Sequence, residues 1–288
     1  MSQPPPIRNV SDTARWAAIH RAIETERSDA LFRDPFARML AGARGEQILR
    51  DMPPTGDWAW PIRTFLFDRT VLGAVKEGFD TVVNLAAGLD ARPYRLQLPR
   101  DLHWFEVDLP GILAEKEELL RSEKPICQVE RVPIDLADSG ARQELFVRLG
   151  QSARRALILT EGLLMYLETE AVRSLAQNLA AQRSFRRWVL ELSSPGLLRL
   201  LQRTLGNKLE QAKAPFKFAP PEGPSFFEPA GWKAKEVHSM LKTAAKLRRL
   251  DFKMRLLALL PESSGRQGSR PWGGVCVLDR AASPDGPS

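Results

Sequence analysis

Short apolar runs alternate with longer amphipathic stretches between residues 80 and 192, and this alternation leaves few folds open to the chain. Five runs have the length and the apolar, often β-branched composition of buried parallel strands: residues 80–86, 103–107, 126–133, 156–160 and 187–192. Helical patterns separate most of them, at residues 109–122, 139–149 and 168–182. Because strands that alternate with helices form right-handed crossovers, the pattern predicts an α/β fold with a doubly wound, mostly parallel sheet.

The flanking sequence predicts decorations on a single domain. Helical patterns precede the core at residues 11–27 and 58–78, with a short helix expected after Asp34-Pro35. After the core, a helix is expected at residues 229–245 and two more strands at residues 246–251 and 274–279, which makes seven strands. We predict one domain with four segments: an N-terminal helical cap (1–78), a core (79–192), a helical lid insertion (193–228) and a C-terminal helix with strands (229–280). A frayed tail is expected at residues 283–288.

Composition argues against several classes of protein. The chain has 288 residues, of which 43% are apolar, enough for a sizeable core. No apolar stretch approaches the roughly 18 residues of a membrane span, and the Pro-rich N-terminus lacks the apolar centre of a secretory signal. Cys127 and Cys276 are expected to be buried thiols, and the three histidines lack metal-ligand spacing. We therefore expect a cytoplasmic protein with no metal and no membrane partner.

The formal net charge is +7, which permits attraction to anionic molecules. The densest basic stretch covers residues 233–255. It lacks the interleaved aromatic residues and the motifs of nucleic-acid-binding modules. A solvated helix face is the expected interpretation, and no nucleic-acid partner is predicted.

Polar residues follow the first two predicted strands, at the edge where ligands bind in open α/β sheets. Ala86, Ala87 and Gly88 follow the first strand, and a glycine at such a turn lets the backbone approach a ligand closely. Glu106 and Asp108 lie 18 and 20 residues beyond Gly88. An acidic residue at about that distance can accept hydrogen bonds from ribose hydroxyls. Asp108 is alternatively the N-cap of the helix that follows.

The next two strands also end in acidic residues. After the third strand, Asp135 can accept from an adenine amino group while Leu136 packs on the ring, although Asp135 is equally a helix cap. Glu161 follows the fourth strand, where a buried carboxylate needs a cationic partner, either a cationic cofactor or an arginine.

These segments together resemble the leucine carboxyl methyltransferase family and its bacterial relatives, which include S-adenosylmethionine-dependent, polyketide-type O-methyltransferases. The resemblance extends over residues 11–192 and continues weakly through Pro229-Ala230-Gly231-Trp232. The matching motifs are Asp12-Thr13-Ala14, Arg21-Ala22-Ile23-Glu24, Asp34-Pro35-Phe36-Ala37, Asn84-Leu85-Ala86-Ala87-Gly88-Leu89-Asp90-Ala91-Arg92, Phe105-Glu106-Val107-Asp108-Leu109-Pro110, Pro133-Ile134-Asp135-Leu136 and Thr160-Glu161-Gly162-Leu163-Leu164-Met165-Tyr166-Leu167.

The resemblance implies a class I methyltransferase (Rossmann-like) sheet and the cofactor S-adenosyl-L-methionine, bound by the core. It implies the following roles: Arg63 for the cofactor carboxylate, Ala86 and Gly88 for the methionine part, Asp108 for the ribose, Asp135 and Leu136 for the adenine, and Glu161 for the amine. Glu106 remains a second ribose candidate. Arg21, Arg92 and Tyr166 are implied as wall or substrate contacts. Arg63 and Glu161 are expected at opposite ends of the cofactor's amino-acid portion, or alternatively in a structural pair with each other.

Ala86 departs from the family pattern, which has glycine at this position. A methyl group there crowds the cofactor if the backbone needs a positive φ. We expect Ala86→Gly to tighten cofactor binding or leave it unchanged, and to lower stability by up to about 1 kcal/mol through the unfolded chain.

The predicted function is methyl transfer to a carboxylate or hydroxyl oxygen of a small molecule or of a protein C-terminus. A carboxylate acceptor needs no strong general base, and no histidine lies in a matched motif. The first alternative is a binding protein of the same fold whose catalysis is impaired by Ala86. The second is an NAD-dependent oxidoreductase, although Ala-Ala-Gly matches G-x-G-x-x-G poorly.

Overall fold

Seven strands of the described residues form one sheet, in the order β3-β2-β1-β4-β5-β7-β6. Their bounds are β1 Thr81–Leu85, β2 His103–Asp108, β3 Gln128–Pro133, β4 Ala156–Thr160, β5 Phe185–Ser193, β6 Trp232–Ser239 and β7 Gly273–Arg280. Strands β1 to β5 pair in parallel, and β7 pairs antiparallel with both β5 and β6. The prediction of a seven-stranded, mostly parallel α/β sheet is therefore confirmed.

The computed structural model describes residues 7, 10–52, 56–211, 214–262, 268 and 270–281. The predicted tail, residues 283–288, lies outside them. The helices are α1 Val10–Glu26, α2 Ala37–Asp51, α3 Ala59–Lys76, α4 Arg92–Arg95, α5 Pro110–Leu119, α6 Ser139–Ser152, α7 Thr169–Ala180, α8 Pro195–Gln211, α9 Met240–Lys246 and α10 Phe252–Leu257. Two 3₁₀ segments lie at Leu164–Tyr166 and Gly223–Ala230. The proposed division of residues 1–288 into cap, core, lid and C-terminal segments of one domain stays a prediction.

Neighbouring residues of each strand point into two different apolar layers, because side chains alternate across a sheet. Val83 and Ile158 belong to the layer that contains α6 and α7. Val82 and Leu157 belong to the layer that contains α3 and α9. A third cluster joins α1, α2 and α5, and it holds the N-terminal helices over the carboxyl ends of the strands. Both faces of the sheet are therefore covered, which explains why its central strands are almost continuously apolar.

The C-terminal predictions were partly wrong. Residues 229–245, predicted as one helix, end the 3₁₀ segment and then form strand β6 before α9 begins. Strand β6 is an edge strand, exposed from Lys233 to Val237, so it lacks the apolar alternation that marks a half-buried strand. Residues 246–251, predicted as a strand, form the end of α9 and a turn in which Arg248 has a φ of 58°.

Three observations concern the predictions about membrane, cysteines and metal. None of the helices in the described ranges is long and apolar enough to cross a membrane. Cys127 and Cys276 are both free and buried, as predicted. Within the same ranges, no three His, Cys, Asp or Glu side chains are grouped as metal ligands.

Candidate functional site

A cavity of about 1390 Å³ opens at the carboxyl ends of the central strands. Its walls come from α1, α3, the loops after β1 and β4, helix α8 and the segment that follows α9. Pockets for a single small molecule are usually about 300–1,000 Å³. The cavity therefore has room for two ligands side by side, at the position where the strand order reverses between β1 and β4.

The loop after β1 enters the cavity in a left-handed backbone conformation. Ala86 has a φ of 55° and Gly88 a φ of 48°. The N–H of Gly88 donates to Oδ2 of Asp108 at 2.6 Å, and the N–H of Leu109 donates to Oδ1 at 2.7 Å. Asp108 thus fixes both the loop and the start of the next helix while it lines the cavity. Burial raises the pKa of its carboxyl.

Ala86→Gly should raise the free energy of unfolding by about 0.5–1 kcal/mol. The left-handed conformation costs an L-residue about 1–2 kcal/mol, which exceeds the extra freedom that glycine gives the unfolded chain. The sequence alone predicted that Ala86→Gly lowers stability, whereas the observed φ predicts that it raises stability. Urea denaturation of Ala86→Gly and of the control Ala87→Gly measures the effect. Ala87 has no positive φ and should lose stability, so equal losses in both variants would contradict the assignment of strain to Ala86.

Glu106 and the pair Asp135-Leu136 are not among the described residues that line the cavity. Glu106 is fully buried, and both of its carboxylate oxygens are ion-paired, to Lys116 Nζ at 2.7 Å and to Arg131 Nε at 3.2 Å. Asp135 is exposed and accepts from the N–H of Ala137 at 2.9 Å in a turn, whereas the N-cap of α6 is Asp138. Asp108 is therefore the ribose candidate that the geometry favours, and the adenine roles of Asp135 and Leu136 stay predictions.

Arg63 lies at the centre of a set of buried charges on the cavity wall. Its Nε donates to Glu161 Oε1 at 2.9 Å, and its Nη1 donates to Glu191 Oε2 at 2.9 Å. Arg63 and Glu161 are thus in direct contact, as in the mutual pair given above as the alternative, and their positions relative to a bound cofactor stay a prediction. No acceptor within the described residues hydrogen-bonds Nη2 of Arg63, which leaves that edge of the guanidinium open to a ligand.

Arg92 connects this pair to a wider cluster. Its guanidinium donates to Glu161 at 2.7 Å, to Asp68 at 2.7 Å and to Asp90 at 2.9 Å. Arg95 joins Asp68 in turn. Among the residues that the structure describes, the cluster contains five carboxylates and four guanidiniums: Asp34, Asp68, Asp90, Glu161, Glu191, Arg21, Arg63, Arg92 and Arg95. Fully ionised, it has one negative charge in excess.

The pKa values of the cluster's carboxyls differ according to their partners. Burial alone would raise the pKa of Asp90, but Arg92 and Lys116 lower it to about 2. Arg92 and Arg63 likewise overcome burial and lower the pKa of Glu161. Burial raises the pKa of Glu191 despite the attraction of Arg63, and the negative charge of Glu161 adds to the rise. Of Asp90, Glu161 and Glu191, only Glu191 has a pKa above its ordinary value, so it takes up a proton most readily of the three.

Glu191 was not predicted from the sequence. It interrupts the apolar run Trp188-Val189-Leu190 of β5 close to the strand's carboxyl end. A single carboxylate in such a run, at the edge where ligands bind, is the signal that could have identified it.

The three predicted substrate-side residues differ in their availability. Arg21 lines the cavity but donates to Asp34 at 2.8 Å and to the carbonyl of Leu89 at 2.6 Å. Arg92 is saturated by its three carboxylates, so it positions other side chains. Tyr166 also lines the cavity, and burial raises the pKa of its hydroxyl to about 12. It therefore remains protonated and can donate a hydrogen bond.

Trp16 and Trp60 line this side of the cavity, and His20 packs on them without lining it. The rings of His20 and Trp60 stack at 5.1 Å, Trp16 packs at 4.9 Å from Trp60, and the Arg63 guanidinium lies 4.9 Å from the Trp60 ring centre. His20 Nε2 is buried without a hydrogen-bond partner and is 3.9 Å from the Asp57 carboxylate. Burial and the positive charge of Arg63 lower the pKa of His20 to about 4, which outweighs the attraction of Asp57 at that distance.

Acid should destabilise the protein through His20. The folded-state pKa of about 4 lies below the ordinary value of 6.5, so the unfolded chain binds a proton first as the pH falls. This stability is fully present above pH 6.5 and is lost as the pH falls toward 4, by about 2 kcal/mol between pH 7 and pH 5. Comparing denaturation of the wild type with that of His20→Phe, which keeps the ring stack, isolates the contribution. If Asp57 instead held His20 protonated, the wild type would gain stability relative to His20→Phe over the same range.

The sheet order and the cavity at the switch point define a class I methyltransferase-like α/β fold. The sequence profile described as "Leucine carboxyl methyltransferase" matches residues 14–180, more than half of the chain. The chain belongs to the leucine carboxyl methyltransferase family, and the resemblance found in the sequence is confirmed.

Similar proteins come from actinobacteria. A candidate S-adenosyl-L-methionine-dependent methyltransferase of Mycobacteroides abscessus is 37% identical over 182 residues, and the match spans 57% of this chain but only 58% of that protein. A protein of the same description from Parafrankia sp. is 31% identical over 266 residues, with 83% of this chain and 82% of the relative covered.

Solved structures share the fold at low sequence identity. A candidate methyltransferase from Thermobifida fusca has a TM-score of 0.58 at 16% identity, with 96% of each chain covered. A DUF574 family protein from Streptomyces avermitilis has a TM-score of 0.59 at 14% identity, with 92% of this chain and 97% of that chain covered.

Proposed function

We propose that the chain binds S-adenosyl-L-methionine in the large cavity and transfers its methyl group to an oxygen of an acceptor bound beside it. The observation that carries the proposal is the carboxylate of Asp108 next to the Gly88 loop, on the wall of a cavity large enough for two ligands. Membership of the leucine carboxyl methyltransferase family supports the same reaction. The family relatives are also described as S-adenosyl-L-methionine-dependent.

The charges of the cavity wall suit this cofactor. Its amino-acid portion has a carboxylate and an ammonium, and its sulfonium adds one positive charge. The free Nη2 of Arg63 can donate a charge-assisted hydrogen bond to the carboxylate. Glu161 and Glu191 can accept from the ammonium, and the single excess negative charge of the cluster balances the sulfonium.

The remaining contacts follow from position. Ala86 and Gly88 present backbone to the methionine portion, and Asp108 has lone pairs left for ribose hydroxyls after its two backbone bonds. Asp135 and Leu136 remain the adenine candidates because they follow β3 at the same edge of the sheet.

When bound, the cofactor supplies an electrophilic methyl group, and the protein's task is to hold an acceptor oxygen in line with it. Tyr166 stays protonated and can orient an acceptor as a hydrogen-bond donor. No histidine is found among the described residues of the cavity wall. An acceptor that is already anionic, a carboxylate or an acidic hydroxyl, suits such a site because it needs no strong general base.

Titration calorimetry tests the class of function. We expect S-adenosylmethionine and S-adenosylhomocysteine to bind and NAD to show no heat of binding. Preferential binding of NAD would replace the proposal with an oxidoreductase. Binding of both sulfur ligands without turnover on any oxygen acceptor would favour the impaired binding protein, for which the strained Ala86 is the specific reason. Transfer of a labelled methyl group into a product that base hydrolyses to methanol would identify a methyl ester, whereas a base-stable product would indicate a hydroxyl acceptor.

A further inference from the structure

The segment of residues 252–260, here called the mouth segment, forms part of the cavity wall and also exposes large apolar side chains to solvent. It consists of α10 and the two turns that follow. Met254, Leu257 and Ala258 line the cavity. Phe252 and Leu259 are exposed over 75% and 79% of their surface.

The spacing of these residues explains the two sides. Phe252, Leu256 and Leu259 are separated by four and three positions, so they share one face of a helical segment. Met254, Leu257 and Ala258 are shifted by two positions from that set, which places them on the opposite face. Asp251 is the N-cap of this helix, because its carboxylate accepts from the N–H of Met254 at 2.8 Å. Leu256 is exposed over 52% of its surface, so the outer face is an apolar patch in contact with solvent.

Basic side chains surround the outer face. Lys253 and Arg255 are exposed and flank it on either side, and the exposed Arg248 lies in the turn before the helix. Asp251, which caps the helix, is the one acidic residue of the sequence from 248 to 260. A second copy of the chain seated on this face would bring the same basic residues opposite each other, which is unfavourable. An apolar face with a cationic border instead complements an anionic lipid surface.

We propose that the outer face of the mouth segment docks on anionic lipid bilayers, with Phe252, Leu256 and Leu259 at the boundary of headgroups and acyl chains. The sequence predicted no membrane partner because it has no stretch of spanning length, but an interfacial contact requires no such stretch. One short element gives weak and reversible binding. Docking would turn the cavity mouth toward the bilayer, so a lipid-soluble acceptor could enter along Met254 and Leu257. This last step rests on the proposed methyl transfer, whereas the docking does not.

Co-sedimentation of the full chain with vesicles tests the docking. Vesicles of phosphatidylcholine alone are compared with vesicles that also contain phosphatidylglycerol, at low and high salt and with no cofactor present. We expect binding to the anionic vesicles that weakens with salt. The double variant Phe252→Ser/Leu259→Ser should lose at least tenfold in affinity. Lys253→Gln/Arg255→Gln should lose a similar factor and most of the salt dependence. The control Met39→Ser/Val147→Ser alters two other exposed apolar side chains, 43% and 40% exposed on α2 and α6, and should bind as the wild type does.

Three results would overturn the docking. The first is no binding to anionic vesicles, and the second is binding that the Phe252→Ser/Leu259→Ser variant retains in full. The third is a wild-type dimer in sedimentation equilibrium that this variant converts to a monomer, since the face would then cover a second copy. Calorimetry of the same variant with S-adenosylhomocysteine separates the two proposals. Unchanged ligand binding with lost vesicle binding supports docking, and vesicle binding by a chain that never binds the ligand would overturn only the proposed function.

Discussion

Arg92→Met is expected to lower the free energy of unfolding by about 3–5 kcal/mol, the usual cost of removing one partner from a buried ion cluster. Only 3% of the Arg92 side chain is exposed, and its guanidinium contacts Asp68, Asp90 and Glu161. Methionine fills much of the same volume but leaves these carboxylates without their shared cation. Urea denaturation at neutral pH measures the loss.

Two comparisons make the result specific. Arg154→Met removes an arginine that is 89% exposed and paired with Asp80, and it should cost less than about 1 kcal/mol. Lowering the pH should reduce the difference in the free energy of unfolding between Arg92→Met and the wild type. The wild type loses stability as the pH falls toward the Asp90 pKa of about 2, whereas the variant's stranded carboxyls can take up protons while folded. An Arg92→Met variant no less stable than Arg154→Met would mean that the cluster contributes little to folding.

The fold could be predicted wherever a buried segment appears in the sequence as a run of apolar residues. Strands β1, β2, β4 and β5 lie inside the sheet, and their apolar runs marked them to within a few residues, whereas β3 is an edge strand that is only partly buried. Strand β6 carries no such signal because five consecutive residues of it, Lys233 to Val237, are exposed. Its position is set by pairing with β7, a contact between distant parts of the chain. Residues 246–251 were predicted as a strand from composition, but the left-handed turn at Arg248 prevents one.

The sequence predicted which residues line the cavity but not which side chains they contact. Residues directly after the strands, such as Gly88, Asp108 and Glu161, do line the cavity because parallel strands end at one edge of the sheet. The contact of Arg63 with Glu161 joins residues 98 positions apart, and that with Glu191 joins residues 128 positions apart. Such pairings depend on how α3 packs over the sheet, which no local pattern encodes. Periodicity likewise could not distinguish the buried ion pairs of Glu106 from the cavity-facing Asp108.

Arg63→Met is expected to weaken S-adenosylhomocysteine binding roughly a hundredfold, about 2.7 kcal/mol. Arg63 presents a free edge at the cavity wall, and its loss also leaves Glu191 and Glu161 without their common partner, so two negative groups would face the ligand carboxylate. Glu161→Gln should cost about tenfold, because one acceptor for the ammonium loses its charge while Glu191 keeps its own. Both variants should bind 5′-methylthioadenosine within about threefold of the wild type, since that ligand has neither charged group. Calorimetry of both variants with both ligands gives the four affinities relative to the wild type.

The comparison of the two ligands distinguishes a binding role of Arg63 from a structural one. This distinction is needed because Arg63 contacts Glu161 directly. If the pair served only to hold α3 against the loop after β4, its removal would distort the whole cavity and weaken both ligands alike. Arg69→Met, an exposed arginine of the same helix that packs on Phe65, is the matched control and should change neither affinity. Thermal denaturation of each variant shows whether it is folded at the temperature of titration. Equal losses for the two ligands in folded Arg63→Met would assign the pair to structure, whereas a selective loss for S-adenosylhomocysteine would place the amino-acid portion of the ligand against Arg63.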